Sequence, residues 1–383
     1  MFVKEKTTMV KKRLARIVIG ILCCGLAAGC SREAPAWIPV SSENTITLAV
    51  TGDDAFYMEN GVPQAMELAA KDFSQRTGIM LELKYFDDDA DYHKAIAIAQ
   101  DIAADSSIAA VLSKQETDFV DTLADIYEKS EKPFFVMSGS YDHTLRQDYE
   151  YLINDSICAS DAGNIMAQYV MDQGFHRAVF CHSDTEYEED ELMGFQVAIS
   201  DSDTLLAGTL VGPYTQEDFE LAYAEWQLLG VDVICISNAD ILNGNLVRML
   251  RNKGSDIPVI SDYIMDDEEE IEANGDYLDG TVIVPLYMMS DSGNDTALRF
   301  VDIYGFEMGE LAVQAYDLVS MISEKLTSGV TTPMDFMTSI KHPDGYAGLY
   351  GSVKFDESGS MIPESGELLV FKDGMFRPVT EDK

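Results

Sequence analysis

The sequence has few basic residues for its length. Its 383 residues include 26 Lys and Arg against 67 Asp and Glu, a formal net charge of −41 at pH 7. A nucleic-acid-binding protein needs a basic face to neutralise phosphate, so this composition argues against such a partner. It also argues against adhesion of the folded surface to anionic lipid. Hydrophobic residues make up 46% of the chain, which is typical of a folded rather than a disordered protein.

The sequence also lacks common catalytic and metal-binding motifs. It contains no G-x-x-x-x-G-K-[ST] phosphate loop, no H-E-x-x-H zinc motif and no G-x-S-x-G nucleophile elbow. Its five histidines are scattered singly. Asp87, Asp89 and Asp91 begin like a calcium loop, but the Gly and Glu that such a loop requires are missing. We therefore expect no enzyme activity, no cofactor and no metal ion.

The first 29 residues have the features of a secretory leader. Six basic residues and one acid precede an apolar run of 13 residues, 17–29. A membrane-spanning helix needs about 20 residues. The run leads into LAAGC, residues 26–30, which resembles the bacterial lipoprotein box, whose cysteine becomes the lipidated first residue. Cys30 is therefore the predicted lipidation site; the alternative is an ordinary signal peptide followed by an unmodified cysteine.

Removal of the leader would leave a strongly anionic body behind a short linker. The remaining chain would carry 20 basic and 66 acidic residues. Residues 30–44 contain two prolines and several serines, a composition typical of an extended linker. An odd number of cysteines would follow the lipidated one, and they favour buried free thiols over a complete set of disulfides. These are Cys158, Cys181 and Cys235.

From residue 44 onward, apolar strand-like runs alternate with amphipathic helical segments. The first series predicts strands at 44–50, 79–86, 107–112 and 133–138, with helices at 63–76, 91–104 and 117–130. After residue 155 the pattern restarts, with strands at 177–182, 205–212, 231–237, 257–261 and 281–287 and helices at 160–173, 189–200, 216–229 and 239–253. The two βα series predict two similar lobes, each with a parallel sheet.

The remaining segments are predicted from shorter patterns. Residues 306–326 have a strongly amphipathic pattern. A hairpin is predicted from strands at 352–355 and 368–371, with a turn at 356–359 between them. The acidic runs 184–191 and 266–272 are interpreted as solvated loops and helix starts, because the helix dipole favours acids there.

Six stretches of the chain, in order, match motifs of one known family. They are Gly61 and its helix with Thr77-Gly78-Ile79, YFDDDADYHKAIAIAQDI, PFFVMSGSYDHTL, Tyr187 in SDTEYEEDELMGF, Ala315-Tyr316-Asp317 and GSVKFDESG. Together they resemble the leucine/branched-chain amino-acid binding family of type I periplasmic binding proteins. The resemblance covers nearly all of residues 45–380 and extends to solute-binding lipoproteins of ABC transporters.

The resemblance implies an α/β fold of two similar, doubly wound parallel-sheet lobes joined by a three-strand hinge. Lobe one would comprise residues 45–155 plus 283–345, and lobe two residues 156–282 plus 346–383. In open parallel sheets, ligands bind beyond the carboxyl ends of the strands. Two such edges that face each other would form a cleft that closes by hinge motion.

Polar and aromatic residues at the strand ends are candidates for solute binding. Thr117 begins the helix after the third strand, where its hydroxyl and the free N–H groups could hold a carboxylate or only cap the helix. Asn238 follows the strand 231–237. Asp262 follows the strand 257–261 and is the candidate partner of a ligand ammonium, with a helix cap as the alternative. Tyr57, which with Phe56 lies in the first βα loop, would stack on a solute or pack within the protein.

The resemblance adds further candidates. Gly139 and Ser140, with the adjacent Ser138, occupy positions that offer a backbone carbonyl and a hydroxyl to an amino-acid ligand. Tyr187 occupies the position of an aromatic residue that covers the solute. The structural alternatives are a Ser/Gly turn and a surface tyrosine.

The chain differs from the family pattern at three positions. Ser113 and Asn154 stand where the family has Gly and Arg, and Glu188 replaces the Gly after the tyrosine. Several acids are expected near the mouth of the cleft, and they favour a cationic or zwitterionic solute. They are Asp53, Asp54, Glu188 and Asp262.

We therefore expect an extracytoplasmic, monomeric binding protein that contacts the membrane only through its lipid. It would capture an amino acid or a related zwitterion or cation for an ABC permease. The alternatives are a ligand-sensing receptor component of the same fold without transport, and a secreted enzyme such as a barrel hydrolase. A barrel would need eight βα units in one closed ring, which the restart after residue 155 argues against.

Overall fold

The structure is a computed structural model, and the elements below all belong to a compact unit that spans residues 38–383. The described residues are 37, 40–53, 61–114, 117–137, 142, 149–237, 243–285, 295–349, 351–363 and 368–379. The predicted leader and Cys30 lie outside them. None of the helices in these ranges is long and apolar enough to span a membrane.

The first half of the chain forms a parallel sheet in the order β2-β1-β3-β4-β5. Its strands are β1 (Thr45–Gly52), β2 (Met80–Asp87), β3 (Ile108–Lys114), β4 (Phe134–Val136) and β5 (Leu152–Asn154). The intervening helices are α1 (Val62–Thr77), α2 (Tyr92–Ala104) and α3 (Thr117–Lys129). Because β1 pairs with both β2 and β3, the strand order reverses there, and a crevice forms at the carboxyl edge of such a reversal.

The second half builds a larger sheet with the same parallel core. Its parallel strands are β6 (Arg177–His182), β7 (Leu205–Val211), β8 (Val233–Ser237), β9 (Val259–Ser261) and β10 (Val282–Ile283). Its helices are α4 (Ala159–Asp172), α5 (Glu186–Ile199), α6 (Gln216–Leu229), α7 (Asn243–Asn252) and α8 (Glu268–Asn274). The prediction of two α/β lobes with parallel sheets is confirmed.

The chain then returns to the first sheet before it ends on the second. The returning helices are α9 (Asp295–Tyr304), α10 (Glu310–Leu326) and α11 (Pro333–Ile340). Helix α10 packs against α1, and Phe336 of α11 lies edge-on to Phe135 of β4 with ring centroids 6.0 Å apart. The remaining strands are β11 (Tyr346–Ala347), β12 (Ser352–Val353), β13 (Leu369–Lys372) and β14 (Met375–Pro378). The full order of the second sheet is β14-β13-β10-β9-β8-β6-β7, with β13 and β14 antiparallel.

The predicted hairpin between residues 352–355 and 368–371 is wrong. Strand β12 pairs with β11, whereas β13 pairs with β10 and β14. The turn at 356–359 is closed by a bridge between Phe355 and Met361, and the chain after it pairs with Asn154, where the first sheet ends. The Asn154 N–H donates to the carbonyl of Gly359, so a long-range contact replaces the local hairpin.

The second sheet is apolar on both faces. Phe180, Cys235 and Ile260 pack into one core, and Cys181 and Ile236 pack into another. Successive strand residues point to opposite faces, so a strand that is covered on both faces reads as a continuous apolar run. The cysteines expected to remain after leader removal, Cys158, Cys181 and Cys235, are buried and form no disulfide within the described part of the chain.

Two glycines set the distance between α4 and α5. A Cβ atom on Gly163 would lie 1.9 Å from the backbone oxygen of Glu191, and one on Gly194 would lie 2.0 Å from the backbone oxygen of Ser160. Only glycine fits at either position, because both neighbours are backbone atoms. This contact sets how closely α5 packs against α4 within the second lobe.

We expect Gly163→Ala to lower the free energy of unfolding by about 2 kcal/mol or more, because overpacking would force the two backbones apart. Urea unfolding at pH 7 measures this loss. Gly208→Ala is the control, since nothing lies within 4 Å of a Cβ at that position. Equal stabilities of the two variants would contradict the proposed contact.

Candidate functional site

Neighbouring parallel strands bring Ser237 and Asp262 together at the carboxyl edge of the second sheet. Strand β8 ends at Ser237, and Asp262 directly follows β9, with Ile236 opposite Ser261 in the register. The Asp262 N–H donates to the carbonyl of Ile236 over 3.2 Å. This is the strand-end position at which open α/β sheets bind their ligands.

Asp262 is held firmly in this position. Its side chain is 1% exposed and accepts a hydrogen bond of 2.9 Å from Nδ2 of Asn243, at the start of α7. The main-chain N–H of Ile264 also donates to it, and Ser237 Oγ lies 3.4 Å away. Asp262 therefore has a fixed orientation before any solute arrives.

Helix α5 adds two more buried carboxyl groups. Glu188 and Glu191 are 1% and 0% exposed, and their spacing of three residues places them on one face of the helix. Glu191 Oε2 is hydrogen-bonded to the hydroxyl of Ser237. Its other oxygen, Oε1, is buried without a hydrogen-bond partner among the described residues. The acidic run 184–191 was predicted to be solvated, and for Glu188, Asp190 and Glu191, which are all buried, that prediction is wrong.

Burial and mutual repulsion disfavour the charged forms of these acids. Burial raises the pKa of Glu191 well above its usual range, and the neighbouring charges of Asp262 and Glu188 act in the same direction. Burial likewise raises the pKa of Asp262. The ion pairs between described residues do not include Glu191 or Asp262. Buried carboxylates need a cation or a proton, and no basic side chain in the described ranges forms an ion pair with either of these two.

Two half-buried tyrosines accompany the acids. Tyr187 lies in the first turn of α5. Tyr263 directly follows Asp262 and begins a 3₁₀ turn, Tyr263–Met265. Burial raises the pKa of both hydroxyls. The nearby carboxyl groups of Glu188, Glu191 and Asp262 raise the pKa of both further. Tyr263 also interacts electrostatically with Glu310 at the start of α10, a helix that packs on the first lobe. The aromatic pair thus lies on the side of the second lobe that approaches the first.

The carboxyl edge of the first sheet carries hydroxyl groups. Thr51 Oγ1 and Ser113 Oγ are 2.8 Å apart and buried, at the ends of β1 and β3. Ser113 stands where the resemblance places a glycine, and its hydroxyl is hydrogen-bonded to Thr51 on the neighbouring strand. Thr117 is the first residue of α3, as predicted, and its side chain lies outside the described part of the structure.

The predicted site residues divide into two groups. Tyr187 and Asp262 lie close together, beside Glu191. The remaining candidates stay predictions. The side chain of Thr117 is not described, and the others fall outside the described residues; they are Tyr57, Ser138, Gly139, Ser140 and Asn238. Sequence reasoning missed Glu191, Ser237 and Asn243. The spacing of Glu191, four residues after Tyr187 on a helix, is the signal that could have found it.

Within the described ranges, no cluster of three His, Cys, Asp or Glu side chains has the arrangement of a metal site.

Comparison with known proteins decides the family. The sequence profile of the periplasmic binding proteins matches residues 46–365. The chain belongs to this family. The predicted resemblance to type I binding proteins of the leucine/branched-chain type is thereby confirmed. A search of curated proteins gives no match.

Solved structures share the fold at low sequence identity. An ABC transporter substrate-binding protein from Desulfitobacterium hafniense, in complex with Leu, is 21% identical with a TM-score of 0.77 and covers 88% of this chain and 100% of its own. A leucine-binding protein from Thermotoga maritima is 17% identical with a TM-score of 0.67, covering 87% and 97%. A solute-binding protein from Rhodopseudomonas palustris, in complex with 3,4-dihydroxybenzoic acid, is 16% identical with a TM-score of 0.65, covering 87% and 95%.

We expect Asn243→Ala to destabilise the protein by about 2 kcal/mol at pH 7, because Asp262 would lose a donor inside the protein. Urea unfolding provides the measurement. Asn245→Ala is the matched control, since Asn245 accepts a hydrogen bond only from the half-buried Arg248. If the two variants lose equal stability, Asn243 does not hold Asp262.

Proposed function

We propose that this periplasmic binding protein captures a small solute with a protonated amino group and delivers it to an ABC permease. The solute is an amino acid or a related zwitterion or cation. It binds between the lobes without chemical change, and the closed form is what the permease recognises. A lipid on Cys30 tethers the protein outside the cytoplasm.

The buried carboxyl groups of the second lobe carry this proposal. Asp262 lies at a strand end with Glu188 and Glu191 of helix α5 beside it, and no described Lys or Arg pairs with Asp262 or Glu191. An ammonium group placed beside Asp262 would supply the missing positive charge, and the ring of Tyr187 would add a cation–π contact. An aromatic carboxylate such as the one bound by the R. palustris neighbour would instead meet like charges.

The first lobe would bind the other end of the solute. Ser140 and the start of helix α3 at Thr117 are suited to a carboxylate, since free N–H groups and hydroxyls donate to anions there. Contacts to both lobes would make closure depend on the solute, because only the closed state completes them. This part of the proposal rests on the family resemblance.

A thermal-shift screen of amino acids, amides, amines and benzoates tests the proposal. We expect a zwitterionic or cationic compound to stabilise the mature protein by ~2.7 kcal/mol at 100 times its Kd. Stabilisation by benzoates alone would contradict the proposed solute class, and no shift with any amino acid, amide or amine would rule it out.

Charge removal at Asp262 tests its role. Asp262→Asn keeps the size of the side chain, and we expect it to weaken binding of the best cationic compound by about 30-fold or more, because a buried charge pair would be lost. Isothermal titration calorimetry measures the change. Asp266→Asn, an exposed acid four residues later, serves as the control. Unchanged affinity in Asp262→Asn would place the ammonium elsewhere.

The lipid anchor is tested by fractionation of cells that express the full chain. We expect the wild-type protein in the membrane fraction, released only by detergent, because more than one acyl chain gives stable anchoring. Cys30→Ala should lose lipid labelling and membrane retention, whereas Cys24→Ala, within the leader, should retain both. A Cys30→Ala protein that remains lipid-labelled would contradict the assignment.

A further inference from the structure

The hydroxyl of Ser237 bridges two buried carboxyl groups. It is hydrogen-bonded to Oε2 of Glu191 and lies 3.4 Å from Oδ2 of Asp262. A serine hydroxyl has a single hydrogen to donate. It cannot donate to both carboxylates at once, so a second proton completes the arrangement. With that proton on one acid, this acid donates to Ser237 Oγ, and the serine donates to the other.

The two acids differ in how well the protein stabilises a negative charge. Asp262 accepts from Asn243 Nδ2 and from the main-chain N–H of Ile264, two donors that stabilise a carboxylate. Glu191 has Ser237 as its partner, and its Oε1 has none among the described residues. The proton therefore belongs on Glu191, and the charge on Asp262.

The groups that face Glu191 also favour its neutral form. Glu188 and Tyr187 lie on its own helix, Asp262 and Tyr263 follow β9, and the thiol of Cys235 comes from β8. All of these are acids or weak acids. The buried His182 of β6 lies opposite Ser237 in the register, and its Nδ1 is 2.7 Å from the main-chain carbonyl oxygen of Ser183. Helix α4 meets the backbone of Glu191 at Gly163, which has no side chain.

We propose that Glu191 holds a proton in the solute-free cleft and releases it to solvent when a cationic group of the solute binds beside Asp262. The protein thus exchanges one proton for one organic cation. Glu191 is a positioning residue that acts through Ser237 and Asp262. The identity of the solute rests on the proposed function, whereas the location of the proton on Glu191 is independent of it.

Proton exchange makes the affinity for a cation depend on pH. At pH values below the folded pKa of Glu191, binding of the cation releases one proton. The affinity therefore rises by up to tenfold for each unit by which the pH rises. An anion such as benzoate would not show this dependence, because it offers no charge to replace the proton.

The first experiment measures the solute-free protein. The folded pKa of Glu191 lies above its unfolded value, so stability is lost as pH rises above the unfolded value of about 4.3. Glu191→Gln resembles the protonated acid and does not ionise. We expect its unfolding constant in urea to be at least tenfold lower than that of the wild type at pH 8, and within about threefold at pH 4.5.

Glu189→Gln is the matched control, an exposed Glu on the same helix, and its unfolding constant should follow the wild type at both pH values. If Glu191→Gln is as stable as the wild type at pH 8, or less stable, Glu191 does not hold a proton, and the inference is overturned.

The second experiment uses L-leucine, L-lysine, putrescine and benzoate as probes. Calorimetry of each in two buffers of different protonation enthalpy counts the protons released. We expect an ammonium-bearing probe to release about one proton at pH 6 from the wild type and from Glu189→Gln, and none from Glu191→Gln.

The outcomes separate the two proposals. Binding of such a probe without proton release overturns the exchange and leaves the proposed function intact. If benzoate alone binds, or none of the four probes binds, the proposed solute class and the exchange both fail. The urea experiment still decides whether Glu191 carries the proton.

Discussion

Carboxyl groups buried at the ends of parallel strands are the constraint on which the second lobe depends. A charged carboxylate inside a protein is costly unless it is paired, hydrogen-bonded or neutralised. Asp262 is hydrogen-bonded by Asn243. Ser237, the hydrogen-bond partner of Glu191 among the described residues, also lies beside Asp262. The arrangement is thus incomplete without a proton or a cation, and it lies at the carboxyl edge of the second sheet.

The scaffold places these groups through contacts far from them. Gly163 and Gly194 let α4 and α5 approach until backbone meets backbone, which sets the depth of the helix that carries Glu188 and Glu191. The second lobe also depends on chain segments that return late, since β13 and β14 extend its sheet beyond β10. The sheet against which these acids lie therefore depends on the pairing of Val282 with Val370, residues that are 88 positions apart in the chain.

Much of the fold follows from local patterns. Strands β1, β2 and β3 were predicted to within two residues, because each is a continuous apolar or alternating run of at least seven residues. Strand β5 was missed, since its three residues, Leu152–Asn154, are held by β4 and by the segment at Ser360 rather than by a pattern of their own. Helices α9 and α11 were missed as well, and Phe300 and Phe336 are the fully buried residues that hold them.

The sequence by itself determined the class of the protein. The anionic composition, the restart of the βα series after residue 155 and the ordered family motifs are all readable without coordinates. It also placed Tyr187 and Asp262 among the candidates, because each lies at a strand end or a family position. Only the tertiary structure decided that Glu188 and Glu191 face inward. An acidic run at a helix start has the same composition whether it faces water or a neighbouring strand. The packing of α5 against the second sheet determines which of its acids are buried.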